Sequence, residues 1–271
     1  MRGRYLGIVV AEPTHEHELD RLAADLVRDG ICSIPGLIPR DKVEHWREAL
    51  DALVTERSKV EGGLAPRGPG RHYLTIPWVE PFADPEIFAN PTVLRVLDRV
   101  FAQEYVMVQL GADIAGPGSE YQEIHRDYRP LFDESIVTPL YALAVNFPLV
   151  EVTERNGPFQ TTRGTHVLPR DEGLAKIESG EIEIESLFAQ PGDVTIRTPL
   201  ALHLGTENVS DGPRPMVVMG YVMHWLHTAN VELNVPRAFY ESLPPETQAL
   251  LRCNVVEELP EAAETYVNFA F

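Results

Sequence analysis

From residue 105 onwards the chain consists of short β-rich runs separated by turn residues, and this pattern constrains the fold more than any other feature. Seven runs rich in β-branched and aromatic residues lie at 105–110, 121–127, 141–149, 159–162, 182–187, 193–198 and 216–225. Several short strands at such spacing predict an antiparallel sandwich or barrel. Glutamate and isoleucine alternate strictly at 181–185, which is typical of a strand with one face in water.

The residues before this region carry helical signals. Apolar residues recur at helical spacing from Leu19 and end at Gly30, whose lack of a side chain suits the end of a helix. A short strand is predicted at 31–34. A second helix is predicted with Asp41 as its cap, and a third begins with the cap Asn90 followed by a proline.

The remaining segments have weaker patterns. Residues 57–84 are rich in glycine and proline, so we expect either a lid over a binding site or disorder there. A helix is predicted around 239–251 and a final strand at 266–271. Since no linker or repeat interrupts the chain, we expect one domain at 1–271, composed of a helical part at about 14–103, a β core at about 104–226 and a C-terminal extension at 227–271.

Composition excludes several classes of partner. The 271 residues include 23 Lys and Arg against 41 Asp and Glu, a net charge of −18. Because nucleic acids and anionic membranes are bound largely through basic side chains, we expect neither as a partner. No secretion signal or membrane-spanning run is evident, and Cys32 and Cys253 are far apart without a CxxC motif. We therefore expect a cytoplasmic protein without a disulfide, of an oligomeric state that these features do not define.

Three residues are candidates for a metal site. On a strand, His125 and Asp127 project from the same face, so an imidazole and a carboxylate can converge on one cation. Such a pair also arises by chance in a chain with nine histidines, and a surface strand pair is the alternative. His203 lies among apolar residues, which indicates a hydrogen-bonded core residue or a ligand. Two histidines and one carboxylate form the facial arrangement suited to Fe(II) and O2 chemistry.

An arginine follows the last of these residues. Arg214 lies eleven residues after His203 and leads into the apolar run 215–223. A guanidinium group in such a place needs a carboxylate partner, either from the protein or from a ligand. His224 and His227 form an HxxH pair, but three positions apart on a strand they point to opposite faces and make a poor chelate.

The order and spacing of these motifs resemble the phytanoyl-CoA dioxygenase family of Fe(II)/2-oxoglutarate oxygenases. The similarity covers most of the chain and runs through 29–38, His125-Arg126-Asp127, 154–166, 191–193, His203 and Arg214. It implies an α+β, mainly β fold. The implied core is a double-stranded β-helix of the jelly-roll, cupin-like type, with the N-terminal helices packed on one sheet.

The same resemblance implies roles for individual residues. The iron ligands are His125, Asp127 and His203, and Arg214 binds the distal carboxylate of the cosubstrate 2-oxoglutarate. Gln109 matches a position where related enzymes bind the cosubstrate through a glutamine; judged from its strand alone, it is a polar residue on a wet face. Asp127 favours hydroxylation or another oxidation over halogenation, because halogenating relatives carry a small residue in place of this carboxylate.

Further residues bear on the pocket. Gly205 stands where some relatives carry a serine, so we expect different cosubstrate contacts. Ala142 and Ala144 share one face of the run 141–149 and leave room for a ligand if that face looks into a barrel; a loosely packed solvent face is the alternative. His166 is expected to make structural hydrogen bonds. Four arginines near the expected lid or the metal residues are candidates for an anion site, or are ordinary surface and ion-paired residues: Arg67, Arg71, Arg129 and Arg163.

The leading hypothesis is a non-haem Fe(II)/2-oxoglutarate-dependent dioxygenase. It would hydroxylate, or otherwise oxidise, a C–H bond of a small-molecule substrate with O2, forming succinate and CO2. By analogy with bacterial branches of the family, natural-product biosynthesis is favoured over an acyl-CoA substrate. One alternative is a cupin-like isomerase or hydrolase without 2-oxoglutarate, which would have no need of Arg214. The other is a non-catalytic binding protein, which would have no need to keep all three candidate ligands.

Overall fold

The computed structural model describes residues 16–60, 63–227 and 231–260. In these ranges the helices are α1 (Glu16–Asp29), α2 (Arg40–Arg57), α3 (Pro85–Phe88), α4 (Pro91–Phe101), α5 (Arg170–Glu178), α6 (Arg237–Ser242) and α7 (Pro245–Leu250). The strands are β1 (Ile31–Ile34), β2 (Ala65–Pro66), β3 (Arg71–Thr75), β4 (Tyr105–Ala115), β5 (Ala142–Pro148), β6 (Phe159–Thr161), β7 (Glu185–Leu187), β8 (Val194–Arg197), β9 (His203–Gly205), β10 (Arg214–Met223), β11 (Leu233–Pro236) and β12 (Cys253–Val256). The start of the chain and the strand expected at 266–271 lie outside the described residues.

Two antiparallel sheets form the centre of the fold. The main sheet has the strand order β1-β8-β5-β10-β4-β3-β2, and the minor sheet has the order β7-β6-β9. Strands β4 and β10 are the longest and pair along most of their length. Residues of both sheets line one cavity. This arrangement confirms the predicted α+β, mainly β class with a jelly-roll core.

The N-terminal helices cover the face of the main sheet that points away from the cavity. Along β5, Val145 and Phe147 point into an apolar core, whereas Ala144 and Asn146 line the cavity. The Trp46 ring of α2 packs edge-on against Phe147, with ring centroids 5.4 Å apart. Since burying a large apolar side chain contributes roughly 1.5–3 kcal/mol, these contacts hold the helices to the sheet. The expected packing of helices on one sheet is confirmed.

Local signals at helix ends are confirmed in two cases and corrected in a third. The Asn90 side-chain oxygen accepts two backbone N–H groups of the first turn of α4, at 3.0 and 3.4 Å. Gly30 follows α1 with a φ of 80°, which a residue with a side chain rarely adopts. Helix α2 begins one residue before Asp41 and has no side-chain cap. Asp41 therefore lies in the first turn, where its negative charge interacts favourably with the helix dipole.

The segment 57–84 is more regular than its sequence predicts. Strand β3 pairs with β4 in the main sheet and buries Tyr73 and Leu74. The expectation of a lid or disorder is therefore wrong for this strand. The glycines that make this segment look irregular in the sequence form the turn before β3, with φ values of 104° at Gly68 and 68° at Gly70.

Two predicted strands are shortened or absent. At 121–127 the pairing is limited to a single β-bridge between His125 and His203. It does not continue as a strand, because the backbone N–H of Asp127 donates to the carbonyl of Pro199. At 181–185, only the last residue belongs to a strand, β7. The backbone N–H of Ile182 instead closes a turn onto α5. Alternation of polar and apolar residues therefore does not produce a strand where no neighbouring strand pairs with its backbone N–H and C=O groups.

The C-terminal segment differs from its prediction in two ways. The helix expected at 239–251 is two short helices, α6 and α7, separated at Pro244. Beyond them β12 pairs in parallel with β11, a pairing that the sequence does not predict. Cys32 and Cys253 are both free thiols. Across 16–60, 63–227 and 231–260, no helix is long and apolar enough to cross a membrane.

Candidate metal centre and its pocket

His125 and His203 lie directly opposite each other across a single bridge at the edge of the minor sheet. Each donates its backbone N–H to the carbonyl of the other at 2.9 Å, and the ring centroids are 4.5 Å apart. The backbone N–H of Asp127 donates to Pro199 at 2.9 Å and fixes the segment two residues further on. The three side chains therefore converge through this pairing, and not through the regular strand predicted at 121–127.

The candidate ligand atoms face one another. The Oδ1 of Asp127 is 3.3 Å from Nε2 of His203 and 3.7 Å from Nε2 of His125, and one ligand atom from each of the three residues lies within 4.8 Å of the others. The Nδ1 of His125 lies 2.7 Å from the carbonyl of Glu123, and the Nδ1 of His203 lies 2.9 Å from the carbonyl of Ala201. Because these Nδ1–H groups donate to carbonyls, the Nε2 lone pairs are left for a metal.

The electrostatic environment favours the metal-binding protonation states. Burial raises the pKa of Asp127, but the neighbouring charges of His203 and Arg197 outweigh it and hold that pKa well below its usual range. Burial lowers the pKa of His203. Burial also lowers the pKa of His125, but the hydrogen bonds to Asp127 and to the Glu123 carbonyl, together with the charge of Asp127, outweigh it, so this pKa is raised. These shifts keep Asp127 as a carboxylate and disfavour a proton on His203, and both are the forms that bind a metal ion.

Arg197 and Phe159 surround this group, and sequence reasoning missed both. Nη2 of Arg197 donates to Oδ2 of Asp127 at 2.9 Å, which leaves Oδ1 facing the histidines. The guanidinium group lies over the Phe159 ring, 4.8 Å from its centroid, and that ring is 5.0 Å from the ring of His203. Arg197 therefore holds the carboxylate, and Phe159 packs between two residues of the site.

Small residues occupy the middle of the cavity floor, which the main sheet forms. One row across adjacent strands consists of Arg197, Ala144, Gly220 and Gln109. All four line the cavity, as does Ala142. A methyl group at Gly220 would come within 2.9 Å of the Gln109 side chain, so this position has no room for a larger residue. The inward direction predicted for Ala142 and Ala144 is confirmed.

Gln109 lies in the cavity wall and not on a wet face, since it is 9% exposed. Its Nε2 donates to the Tyr73 hydroxyl at 2.8 Å, and that hydroxyl donates to Oε1 of Glu232 at 2.8 Å. Burial raises the pKa of Glu232 to about 7. The chain of hydrogen bonds fixes the amide orientation, so Gln109 presents its oxygen near Gly220.

Arg214 lies six residues along β10 from Gly220, towards the other end of the cavity floor. It is 5% exposed, and its Nε and Nη2 donate to the carbonyl of Gly157 at 3.2 and 2.8 Å. Burial, reinforced by the charge of Arg71, lowers the pKa of Arg214 to about 10. Among the described residues no carboxylate forms an ion pair with Arg214, so the partner that its position demands is left to a ligand.

The other arginines singled out by the sequence divide into two groups. Arg67 and Arg71 line the cavity, whereas Arg129 and Arg163 do not. Arg163 forms ion pairs with Asp29 at 3.2 Å and with a second carboxylate on β7 at 2.8 Å. It is thus one of the ordinary ion-paired arginines that the sequence allowed for.

His166 lies outside the cavity. Its Nε2 is 3.1 Å from the carbonyl of Val27 near the end of α1, and burial lowers its pKa. A methyl group at Gly30 would come within 2.8 Å of its Nδ1, so the ring packs directly against the turn after α1. These contacts are those of the structural hydrogen-bonding residue that the sequence predicts.

A jelly-roll cavity in which two histidines and one carboxylate converge is the arrangement found in mononuclear non-haem iron oxygenases. The family model for phytanoyl-CoA dioxygenase (PhyH) matches residues 26–216, well over half of the chain. The protein belongs to this family. The resemblance inferred from the sequence motifs is therefore confirmed. The two histidines and one carboxylate that converge here fit the iron site expected from that resemblance.

Individual relatives are more distant. Dioxygenase af480 of Aspergillus fumigatus is 22% identical over 189 residues, which cover 67% of this chain and 59% of that protein, so the chain spans about three fifths of the relative's length. The nogalamycin-biosynthesis epimerase SnoN, solved with Fe3+, alpha-ketoglutarate and nogalamycin RO, has a TM-score of 0.63 at 19% identity over 89% of this chain and 96% of its own. The carbocyclase SnoK of the same biosynthesis gives 0.62 at 17% identity over 80% and 87%. These two enzymes share the fold of this chain and differ from each other in reaction.

Proposed function

We propose that this protein is an Fe(II)/2-oxoglutarate-dependent oxygenase that hydroxylates a C–H bond of a small molecule. His125, Asp127 and His203 hold the iron, Arg214 binds the distal carboxylate of 2-oxoglutarate, and Gln109 forms part of the cosubstrate pocket. The observation that carries this proposal is the convergence of three ligand atoms within 4.8 Å in a cavity whose floor also holds a buried arginine without a carboxylate partner among the described residues. Membership of the family supports it.

Bound iron and 2-oxoglutarate supply the oxidising chemistry, with O2 consumed and succinate and CO2 released. The protein supplies orientation. The carbonyl groups of Glu123 and Ala201 hold the two imidazole rings with Nε2 towards the centre. Arg197 occupies one oxygen of Asp127 and so leaves the other for the metal. Since each of the three residues offers one donor atom, an iron ion held by them would keep positions open for the cosubstrate and O2.

The substrate is assigned to the floor between Arg197 and Gln109. Ala142, Ala144 and Gly220 leave space there for a small molecule. The fold shared with SnoN and SnoK supports a role in natural-product biosynthesis. Because one of those enzymes is an epimerase and the other a carbocyclase, epimerisation and ring closure are the reactions to test beside hydroxylation.

Anaerobic addition of Fe(II) and 2-oxoglutarate tests the proposal directly. The wild type should develop the weak visible charge-transfer band of the iron chelate. His203→Ala should lose the band, while His224→Ala, which alters an exposed histidine outside the cavity, should keep it. Absence of the band in the wild type, or its persistence in His203→Ala, would contradict the proposal. Tight zinc binding without a band would indicate the cupin-like metalloenzyme instead.

The reaction type requires product analysis. Succinate release is measured across a panel of small metabolites, with uncoupled turnover subtracted. A product that gains one oxygen atom indicates hydroxylation, an isomer of unchanged mass indicates epimerisation, and a loss of two hydrogens indicates ring closure or desaturation. An isomer of unchanged mass or a loss of two hydrogens would replace hydroxylation as the proposed reaction and leave the proposed cofactors unchanged.

A further inference from the structure

Two buried arginines flank one position of the cavity floor. Arg71 of β3 and Arg214 of β10 are both in register with Ala115 of the intervening strand β4. They are 6% and 5% exposed, and both line the cavity. Burying two like charges side by side is costly unless an anion lies between or beside them.

No carboxylate among the described residues forms an ion pair with either arginine. Asp113 is the one described carboxylate whose charge acts on both guanidinium groups, and it forms an ion pair with neither. Arg71 donates through Nε to the carbonyl of Glu120 at 3.0 Å and through Nη2 to the carbonyl of Thr206. In both arginines Nη1 makes no hydrogen bond within the described part of the chain. Carbonyl groups orient the two cations without neutralising them.

The position of the Arg71 head group depends on a glycine. A Cβ atom at Gly205 would lie 2.8 Å from Nη1 and 2.9 Å from Cζ of Arg71. Gly205 ends β9, two residues after His203. The absence of a side chain at 205 therefore admits the guanidinium group to the space beside the strand that carries a candidate iron ligand.

We propose that Arg71 is a second binding residue for the distal carboxylate of 2-oxoglutarate, acting with Arg214 as a pair. This inference rests on the proposed function. A carboxylate between the two guanidinium groups neutralises both and accepts charge-assisted hydrogen bonds from both Nη1 atoms. The pair also sets selectivity, because a 2-oxo acid without a second carboxylate cannot provide this compensation.

The test is the dissociation constant of 2-oxoglutarate, measured from the chelate band in an anaerobic titration at saturating Fe(II). A hydrogen bond to a charged group contributes about 1.5–3 kcal/mol, so Arg71→Met should weaken 2-oxoglutarate roughly 10- to 100-fold. Arg71→Lys should be intermediate. The affinity for 2-oxobutyrate, which lacks the distal carboxylate, and for Mn(II) alone should be unchanged. Arg163→Met is the control for loss of an arginine outside the cavity.

Gly205→Ala provides an independent variant, because it displaces the Arg71 head group and leaves the charge in the protein. It should weaken 2-oxoglutarate in the same direction, and the double variant with Arg71→Met should be no weaker than Arg71→Met alone. Additive losses, or an unchanged dissociation constant in both single variants, would overturn the role of Arg71. If the wild type shows no band at all, the proposed function fails first; a wild-type band with unaffected variants overturns the inference alone.

Discussion

The ion pair between Arg197 and Asp127 makes a quantitative prediction about the metal-free protein. Arg197→Met removes the charge and keeps an unbranched side chain over Phe159. At the Nη2–Oδ2 distance of 2.9 Å the Coulomb attraction is roughly 6 kcal/mol for an effective dielectric constant of about 20. Desolvation offsets part of this attraction, and breaking a buried pair from one side costs about 3–5 kcal/mol. Since Asp127 is 21% exposed and keeps His203 beside it, we expect the free energy of unfolding to fall by about 2–4 kcal/mol.

Urea unfolding followed by circular dichroism at pH 7 with a chelator measures this loss. Added Mn(II) should recover part of it, because the cation replaces the guanidinium group as the charge partner of Asp127. Arg163→Met breaks two ion pairs of a side chain that is 45% exposed, and should cost about 1 kcal/mol or less. Equal losses in the two variants, or a deficit in Arg197→Met that metal leaves unchanged, would refute the reasoning.

Two further predictions concern groups outside the metal ligands. The pKa of Glu232 is about 7 in the folded protein against an ordinary value of 4.5, so the free energy of unfolding should fall as pH rises from about 4.5 to about 7. Glu232→Gln should abolish about 2 kcal/mol of this fall. The test compares the free energies of unfolding of the two proteins in urea at pH 5 and at pH 8. An identical pH dependence in the variant would show that Glu232 does not titrate there. Asn90→Ala removes the cap of α4 and should cost about 1 kcal/mol in urea unfolding, while Asn90→Ser keeps an acceptor oxygen and should cost less; equal losses would mean that the cap oxygen contributes nothing.

The candidate metal ligands could be predicted from the sequence because their chemistry is concentrated in few residue types. His125 and Asp127 are close in sequence, and His203 is unusual among apolar neighbours. The reason given for their convergence was nevertheless wrong, since 121–127 is no strand and the bridge to His203 brings them together. The inward face of β5 was predicted correctly, because small residues at alternate positions are a local signal.

The residues that sequence reasoning missed act over long separations. Arg197 is 70 residues from its partner Asp127, and Tyr73 is 159 residues from Glu232. No local periodicity contains such a pairing, because it joins segments that only the folded chain brings together. Arg71 is one of the four arginines that the sequence offers as candidates for an anion site, but its register beside Arg214 could not be predicted, because the glycines before β3 mask the strand that carries it.

The two walls of the cavity carry different residues. His125 and His203 belong to the edge of the minor sheet, whereas Ala142, Ala144 and Val218 belong to the main sheet opposite. Under the proposed function, Arg197 is the main-sheet residue that links the two walls, because it pairs with Ala144 and holds Asp127. Substitutions at Ala142 and Val218, which do not pair with Arg197, would alter which compounds are accepted while leaving that contact in place, and these two positions are the natural starting point for redesigning the enzyme.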